Sequence, residues 1–553
     1  MNWRKILKPM LMLAVIIAGI SIAFSALQNR PEIRVSTVGV DGFAKDLQPI
    51  IDRCNADVRG PIEAAQLQSA DPASNLVIAR RIALGLIGSG LSLEEVRALQ
   101  LVPESQQIAW VTNYLLQDRR WADYFAERFS RAMLGTDDGP FILFRRRRFT
   151  TWLSDKLYDD TGYDTIVRQV ISAEGLWTDT PQVNFITASM SEGNNQQCDP
   201  VVLAGRTSRT FLAQRIDCLQ CHNDFIDQHN FGTTEKPVDG EQIHFHNLAA
   251  FYGSTGIKDN PFSGIRERGD KYHAQLLGST DKQEVEADVP FYKNLLSDEG
   301  KPRQRLAAWV THPDNKAFSR ATVNRVWALL FSRPLVDPVD SIPLHGEIPP
   351  ILDSLAEDFA RHEFNMRRLI RIIVSTEAFQ RDSRAEFDLT EEHESKLAAF
   401  PITQLRPDQV AGSMIQAARV TAIDSDSSVF VRLARYGNRN DFLRDFGDRG
   451  LDEFQSDAIT ITQRLVLMNG NLVAERTKED LVGNAATRIA RFIKDDKKAI
   501  ETIFLSVFGR IPSGAEMDSM CRVLAEKYGG DRVRAVNDIY WAMLNSTEFA
   551  WNH

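Results

Sequence analysis

From residue 75 onward, apolar positions recur three and four apart, the spacing that lines one face of a helix. Leu76, Ala79, Ile82 and Ala83 form such a face and lead to a break at Gly88-Ser89-Gly90. Ser92 follows with Glu95 three positions later, a capping box that starts the next helix. The same periodicity predicts helices over 110–116, 121–134, 150–158 and 163–172, with Gly162 as punctuation. Residues 203–219 read as a helix that delivers the chain to Cys218. A second block begins at 303–310 and continues through 318–331, 351–362, 366–379 and 408–420, closing with 497–508, 515–528 and 533–544. Alternating, strand-like runs are few. The expected class is mainly α: two helical domains, with a long irregular loop after the Cys218-Leu219-Gln220-Cys221-His222 segment.

The intervening stretches set the expected boundaries. Residues 29–70 are short of aromatics and read as a linker with a short helix at 43–53. Residues 193–197 are polar and loop-like. Residues 223–242 are rich in Asp, Gly, Thr and Pro, and a long loop of that kind often carries a site. Residues 256–301 are polar and charged, which places the main boundary near their end. The resulting division is 1–28 as signal sequence or membrane anchor, 29–72 as linker, 73–295 as the first helical domain and 296–553 as the second. A chain of 553 residues accommodates this at roughly 150 residues per domain.

The amino terminus changes the picture of where the protein works. Arg4, Lys5 and Lys8 precede an uncharged apolar stretch, 9–27, in the manner of an export signal. At about 19 residues it reaches the lower limit for spanning a bilayer. Ala23 and Ser25 would permit cleavage, and no lipobox cysteine follows; an uncleaved anchor is the favoured reading. Everything after Asn29 then lies outside, in the periplasm or cell envelope. Hydrophobic residues make up 43% and charged residues 25%, which suits globular domains with true cores. The net charge of −9 offers no pull toward nucleic acid. The run Arg145-Arg146-Arg147-Arg148 reads as a solvated helix face or loop rather than a binding stripe.

Five cysteines, at 54, 198, 218, 221 and 521, are too few for a disulfide scaffold in so long a chain. Cys54 and Cys198 could pair in an oxidising compartment, although sequence does not assign the bond. Cys218-Leu219-Gln220-Cys221-His222 carries the one strong chemical signal. Attachment of a c-type haem needs two thiols spaced to reach two vinyl groups and an adjacent imidazole for the iron. Composition gives a chance match of about 10⁻³. Such a haem is matured only on exported chains, and the amino terminus supplies that condition independently. A zinc site on both thiolates, His222 and a further ligand, a disulfide, or a bare structural thiol pair remain alternatives. With haem bound, His222 is the proximal ligand; candidates for the sixth position are His229, His244, His246, His273 and Met190. Each is also an ordinary packing or surface residue on its own.

The segment Cys218-Leu-Gln-Cys-His222, followed by His246-Asn-Leu-Ala-Ala-Phe-Tyr252, resembles the planctomycete-type cytochrome-like domain found in large exported bacterial proteins. Arg80-Arg81-Ile-Ala-Leu-Gly-Leu, Trp121-Ala-Asp-Tyr-Phe and Tyr163-Asp-Thr-Ile-Val-Arg168 fit it too. Downstream, Arg305-Leu-Ala-Ala-Trp-Val310, Asn324-Arg325-Val-Trp327, Leu335-Val-Asp-Pro-Val-Asp340, Phe364-Asn-Met-Arg-Arg-Leu-Ile370, Leu405-Arg-Pro-Asp-Gln409, Phe508-Gly-Arg510 and Leu544-Asn-Ser546 resemble its companion domain of unknown function. The two resemblances span about residue 75 to the end. They imply an exported protein with a redox or envelope role and no established activity. The expectation is a mono-haem c-type cytochrome-like protein with an electron-transfer role and an envelope redox partner; the alternative is a helical envelope scaffold with a structural thiol pair.

Two departures from the family pattern stand out. Similar proteins often carry a second histidine just after the motif, where Asn223-Asp224 stands here. The segment 43–54 resembles the start of an extra cytochrome module, yet Asp57 and Val58 occupy the positions of its second cysteine and histidine, so it holds no c-type haem. Asp137-Asp138-Gly139 reads as a turn before it reads as a cation or acid–base site. Arg325 is expected to pair with Asp337 or Asp340. No phosphate loop, nucleophile elbow or His-Glu-x-x-His helix is present, so a hydrolase or carbohydrate-active role has no motif behind it.

Overall fold

The computed structural model describes residues 33, 35, 40–135, 144–190, 198–225, 229–257, 263–447, 454, 460–526 and 529–553. The described chain is mainly α, with three small two-stranded antiparallel sheets. Among these residues no helix is long and apolar enough to cross a membrane; the apolar segment 9–27 lies outside them, as do 137–139 and 193–197.

Helix starts follow the local chemistry. Ser92 Oγ accepts from the Glu95 amide while the Glu95 carboxylate accepts from the Ser92 amide, closing the expected box. Tyr163–Ser172 forms with the bounds expected. Pro302–Val310, Lys316–Phe331, Pro350–Arg361, Asp496–Val507, Gly514–Glu526 and Arg532–Leu544 lie within two residues of their expected ends, and Pro407–Ala417 stops three residues before its expected end at 420. The expected helix 366–379 divides into Met366–Ser375 and Glu377–Gln380, with Thr376 extended between them and capping the second.

Three regions differ from the sequence expectation. The first helix runs from Val40 to Ala64, well beyond 43–53, and contains Pro49 and Pro61. The helix expected over 203–219 stops at Leu212, where Ala213 takes a left-handed conformation (φ 49°). The chain is tied down there: the Ala213 carbonyl accepts from the Ile342 amide, and Gln214 Nε2 donates to the Ile342 carbonyl at 2.6 Å. Within 421–496, for which no element was expected, helices form at Val429–Phe446, Ile461–Asn469, Asn471–Thr477 and Ala485–Phe492.

One continuous buried cluster takes in residues from Leu47 to Phe400 together with Leu505, and draws on sequence both before and after the polar stretch 256–301. Tyr163 stacks on Phe318 with ring centres 5.7 Å apart, and Phe291 packs on Trp309 at 5.1 Å. Gly85 lets the helix Asn75–Ile87 approach Lys316–Phe331 closely; a Cβ there would lie 2.8 Å from Leu330 Cδ2. A second cluster gathers residues 405–549 and takes in Leu84. The polar stretch itself holds two short hairpins, Thr255–Ile257 with Ile265–Glu267 and His273–Gln275 with Lys282–Glu284.

Candidate functional site

The Cys218 turn is built from both sides. Asp199 caps the helix Pro200–Leu212, its Oδ1 accepting from the Val201 and Val202 amides. After the left-handed Ala213, a short 3₁₀ turn, Asp217–Gln220, presents the cysteines. Leu219 is fully buried and pins the turn, while Cys218 and Cys221 are exposed free thiols. Behind the turn lies the helix Gln242–Ala250, which was not expected from sequence. Its first residue donates from its amide to Asn223 Oδ1 (2.9 Å) and from Nε2 to the Gln220 carbonyl (3.1 Å). His246 Nε2 donates to that same carbonyl at 3.2 Å, and its Nδ1 accepts from the Tyr272 hydroxyl at 2.9 Å. Two side chains of one helix therefore hold the carbonyl between the two cysteines.

Gly240 closes the intervening loop. Its amide donates to the His229 carbonyl and its carbonyl accepts from the Asp224 amide. A Cβ at this position would meet His229 Cβ at 2.9 Å and Leu219 Cδ1 at 3.0 Å.

The candidate ligands occupy different positions around this frame. His222 Nδ1 donates to the Asn223 carbonyl at 2.8 Å, which fixes the neutral tautomer and leaves Nε2 as the basic nitrogen. Its ring sits 4.9 Å from that of the exposed Phe225. His229 Nε2 lies 3.4 Å from Cys218 Sγ, and Asp224 Oδ2 accepts from the His229 amide. Asp224 thus orients the residue that brings an imidazole to the thiol. His244 Nδ1 accepts from the Glu241 amide, and its ring meets Phe231 edge-on. His246 has both nitrogens engaged. His273 is exposed on a hairpin, its Nδ1 donating to the Lys271 carbonyl. Met190 is buried in the main core.

Burial, reinforced by the charge of Asp224, pushes the Cys218 thiol above its ordinary value, so it is protonated at neutral pH. Burial holds His229, His244 and His246 below the ordinary imidazole value, against a partial opposing effect of Asp224 at His229. Among the described residues no three or more His, Cys, Asp or Glu side chains form a group that could hold a metal ion. The donor chemistry fits thioether attachment with one axial nitrogen: two accessible thiols on one turn, and an adjacent imidazole with Nε2 free.

The remaining sequence candidates have structural roles. Cys54 and Cys198 are buried free thiols and do not pair; Cys198 Sγ donates to the Thr255 carbonyl at 3.0 Å. Burial raises both thiols to about 12. Val58 packs in the core and Asp57 accepts from Ser354 Oγ, so the module-like segment is a core helix. Arg146 pairs with Glu127 at 2.9 Å and Arg148 donates to the Thr178 carbonyl, which ties the arginine run into the fold. Asp340 is held by Arg209 (3.1 Å) and Arg215 (2.7 Å).

Beside the turn lies a cavity of about 360 Å³ that sequence reading missed. Arg206, Arg209 and Arg215 line it together with Asp217 and Asp340. The available signal was the spacing of Arg206 and Arg209 on the helix that leads to the motif.

Fold and site define a mainly α protein with an exposed Cys-x-x-Cys-His turn backed by a histidine-bearing helix. Residues 53–232 match the family model described as "Protein of unknown function (DUF1549)", and residues 302–434 match "Protein of unknown function (DUF1553)". The chain carries these two family regions in this order. No curated protein and no solved structure matches it.

Proposed function

We propose that this protein is an exported, mono-haem c-type cytochrome-like protein with an electron-transfer role in the cell envelope. The observation that carries the reading is the Cys218–Cys221 turn: two exposed thiols, followed by a histidine whose Nδ1 is tied to a backbone carbonyl while Nε2 is left free. Cys218 and Cys221 would form the thioether bonds and His222 would ligate the iron. Haem, when bound, supplies reversible one-electron chemistry. The chain's own contribution is positional. Gln242 and His246 hold the Gln220 carbonyl, which fixes the orientation of both thiols. The Asn223 carbonyl fixes the tautomer and plane of His222. His229, already against Cys218, is the best-placed of the sixth-ligand candidates. Export and anchoring rest on the apolar segment 9–27, and zinc on the thiol pair is the cofactor alternative.

Co-expression of the full chain with haem-maturation machinery, followed by a denaturing gel stained for haem, tests this reading. A stained band is expected, lost in Cys218→Ser, Cys221→Ser. An unstained band from a correctly exported protein contradicts it.

A second reading is a helical envelope scaffold with a structural thiol pair. The observation favouring it is an exposed apolar face on the helix Val429–Phe446, formed by Val429, Phe430, Leu433 and Tyr436. Under this reading, Leu433→Asp abolishes recovery of an envelope partner, whereas Cys218→Ser lowers stability without removing a coloured group.

A further inference from the structure

We propose that the cavity beside the Cys218 turn binds a small oxyanion, either free phosphate or the carboxylate of a small acid, at its Arg206 wall. The cavity encloses about 360 Å³, within the range of small-molecule sites. Among the described residues five arginines and three aspartates line it. A guanidinium on a concave wall focuses positive potential on whatever enters.

The aspartates do not neutralise Arg206. Asp340 is occupied by Arg209 and Arg215, and Asp217 Oδ2 lies 3.7 Å from Arg209 Nε. Among the described residues Arg206 has no carboxylate within ion-pair distance. Its Nη2 donates to the Ala188 carbonyl at 3.3 Å, while Nη1 is buried without a partner. Burial lowers this guanidinium to about 10, against the opposing charge of Asp199. A desolvated cation without a counterion is unfavourable, and a bound anion offsets that cost.

The shape serves the same end. Arg206 shares its helix with Val201, Val202 and Gly205, which also line the cavity. A Cβ on Gly205 would lie 2.5 Å from Asp217 Oδ1, so glycine allows the start of the Cys218 turn to close against the helix. Asp217 and Gln220, on either side of Cys218 and Leu219, form part of the wall. A bound oxyanion is thereby held next to the thiol turn, where a small acidic substrate or effector would meet whatever chemistry the thiols support. The site itself does not depend on haem.

Isothermal titration of the full chain at low ionic strength, with inorganic phosphate and separately with succinate, tests the proposal. Saturable binding of at least one probe is expected with a Kd below about 1 mM; the tighter of the two identifies the source. Arg206→Gln is expected to weaken binding by at least about tenfold. Val202→Asp, which places a carboxylate one helical turn from Arg206, is expected to do the same and decides the matter if Arg206→Gln does not fold. No saturable binding of either probe, or wild-type affinity in the folded variants, overturns the proposal. Because the titration needs no cofactor, its failure is distinguishable from failure of the haem reading.

Discussion

Gln220 shows how the site depends on residues that are silent in sequence. Its carbonyl, between the two cysteines, receives hydrogen bonds from Gln242 and His246. His246→Ala removes one donor and leaves the Tyr272 hydroxyl without its acceptor, at an expected cost of about 1–2 kcal/mol in urea denaturation; unchanged stability contradicts this role. The thiols and His222 were legible because their relation is local, a matter of spacing within five residues. The engagement of both His246 nitrogens was not, since it depends on Tyr272 and Gln220, each 26 positions away. Glu127 makes a second residue-scale prediction. Burial alone would raise its carboxyl, but Arg146 outweighs it and holds the group at about 2, down from 4.5. A depressed carboxyl contributes stability that is full above about 4.5 and is lost as pH falls toward 2. That contribution is on the order of 2–3 kcal/mol. Glu127→Gln is therefore expected to be less stable at pH 7 and to lose less between pH 4.5 and 2; parallel pH profiles contradict the assignment.

At the scale of elements, caps and periodicity were readable wherever local chemistry decides. The Ser92 box and the helix Tyr163–Ser172 are examples. The first helix was obscured by Pro49 and Pro61, which discourage a helix reading; tertiary packing of Leu47, Ile51, Cys54, Val58 and Ile62 maintains it. The early end of Pro200–Leu212 was hidden because Ile342, far along the chain, ties down Ala213 and Gln214. That helix orients the motif, so its start matters. Asp199→Ala removes the cap from two amides and is expected to cost about 1 kcal/mol, with faster hydrogen exchange at Val201 and Val202. Exchange rates equal to wild type would show that the cap is dispensable.

For the whole molecule, the polar stretch 256–301 interrupts the hydrophobic pattern without interrupting the packing. Tyr163 on Phe318 and Gly85 against Leu330 join sequence on its two sides into one core. A protease cut within residues 276–300 is expected to leave the two fragments associated on gel filtration and to release them only in denaturant. Fragments that separate under native conditions contradict a shared core. The continuity also places Asp340, from the downstream family region, against Arg209 and Arg215 beside the motif of the upstream one. Sequence could not show this, because no local pattern links positions 125 or more residues apart. What the thiols carry decides whether the protein works as a cytochrome. An absorption spectrum of the full chain, matured in a haem-competent host and recorded oxidised and reduced, tests it most directly. Sharp α and β bands on reduction are the expected result, and a colourless protein with Cys218 and Cys221 both titrating as free thiols contradicts it.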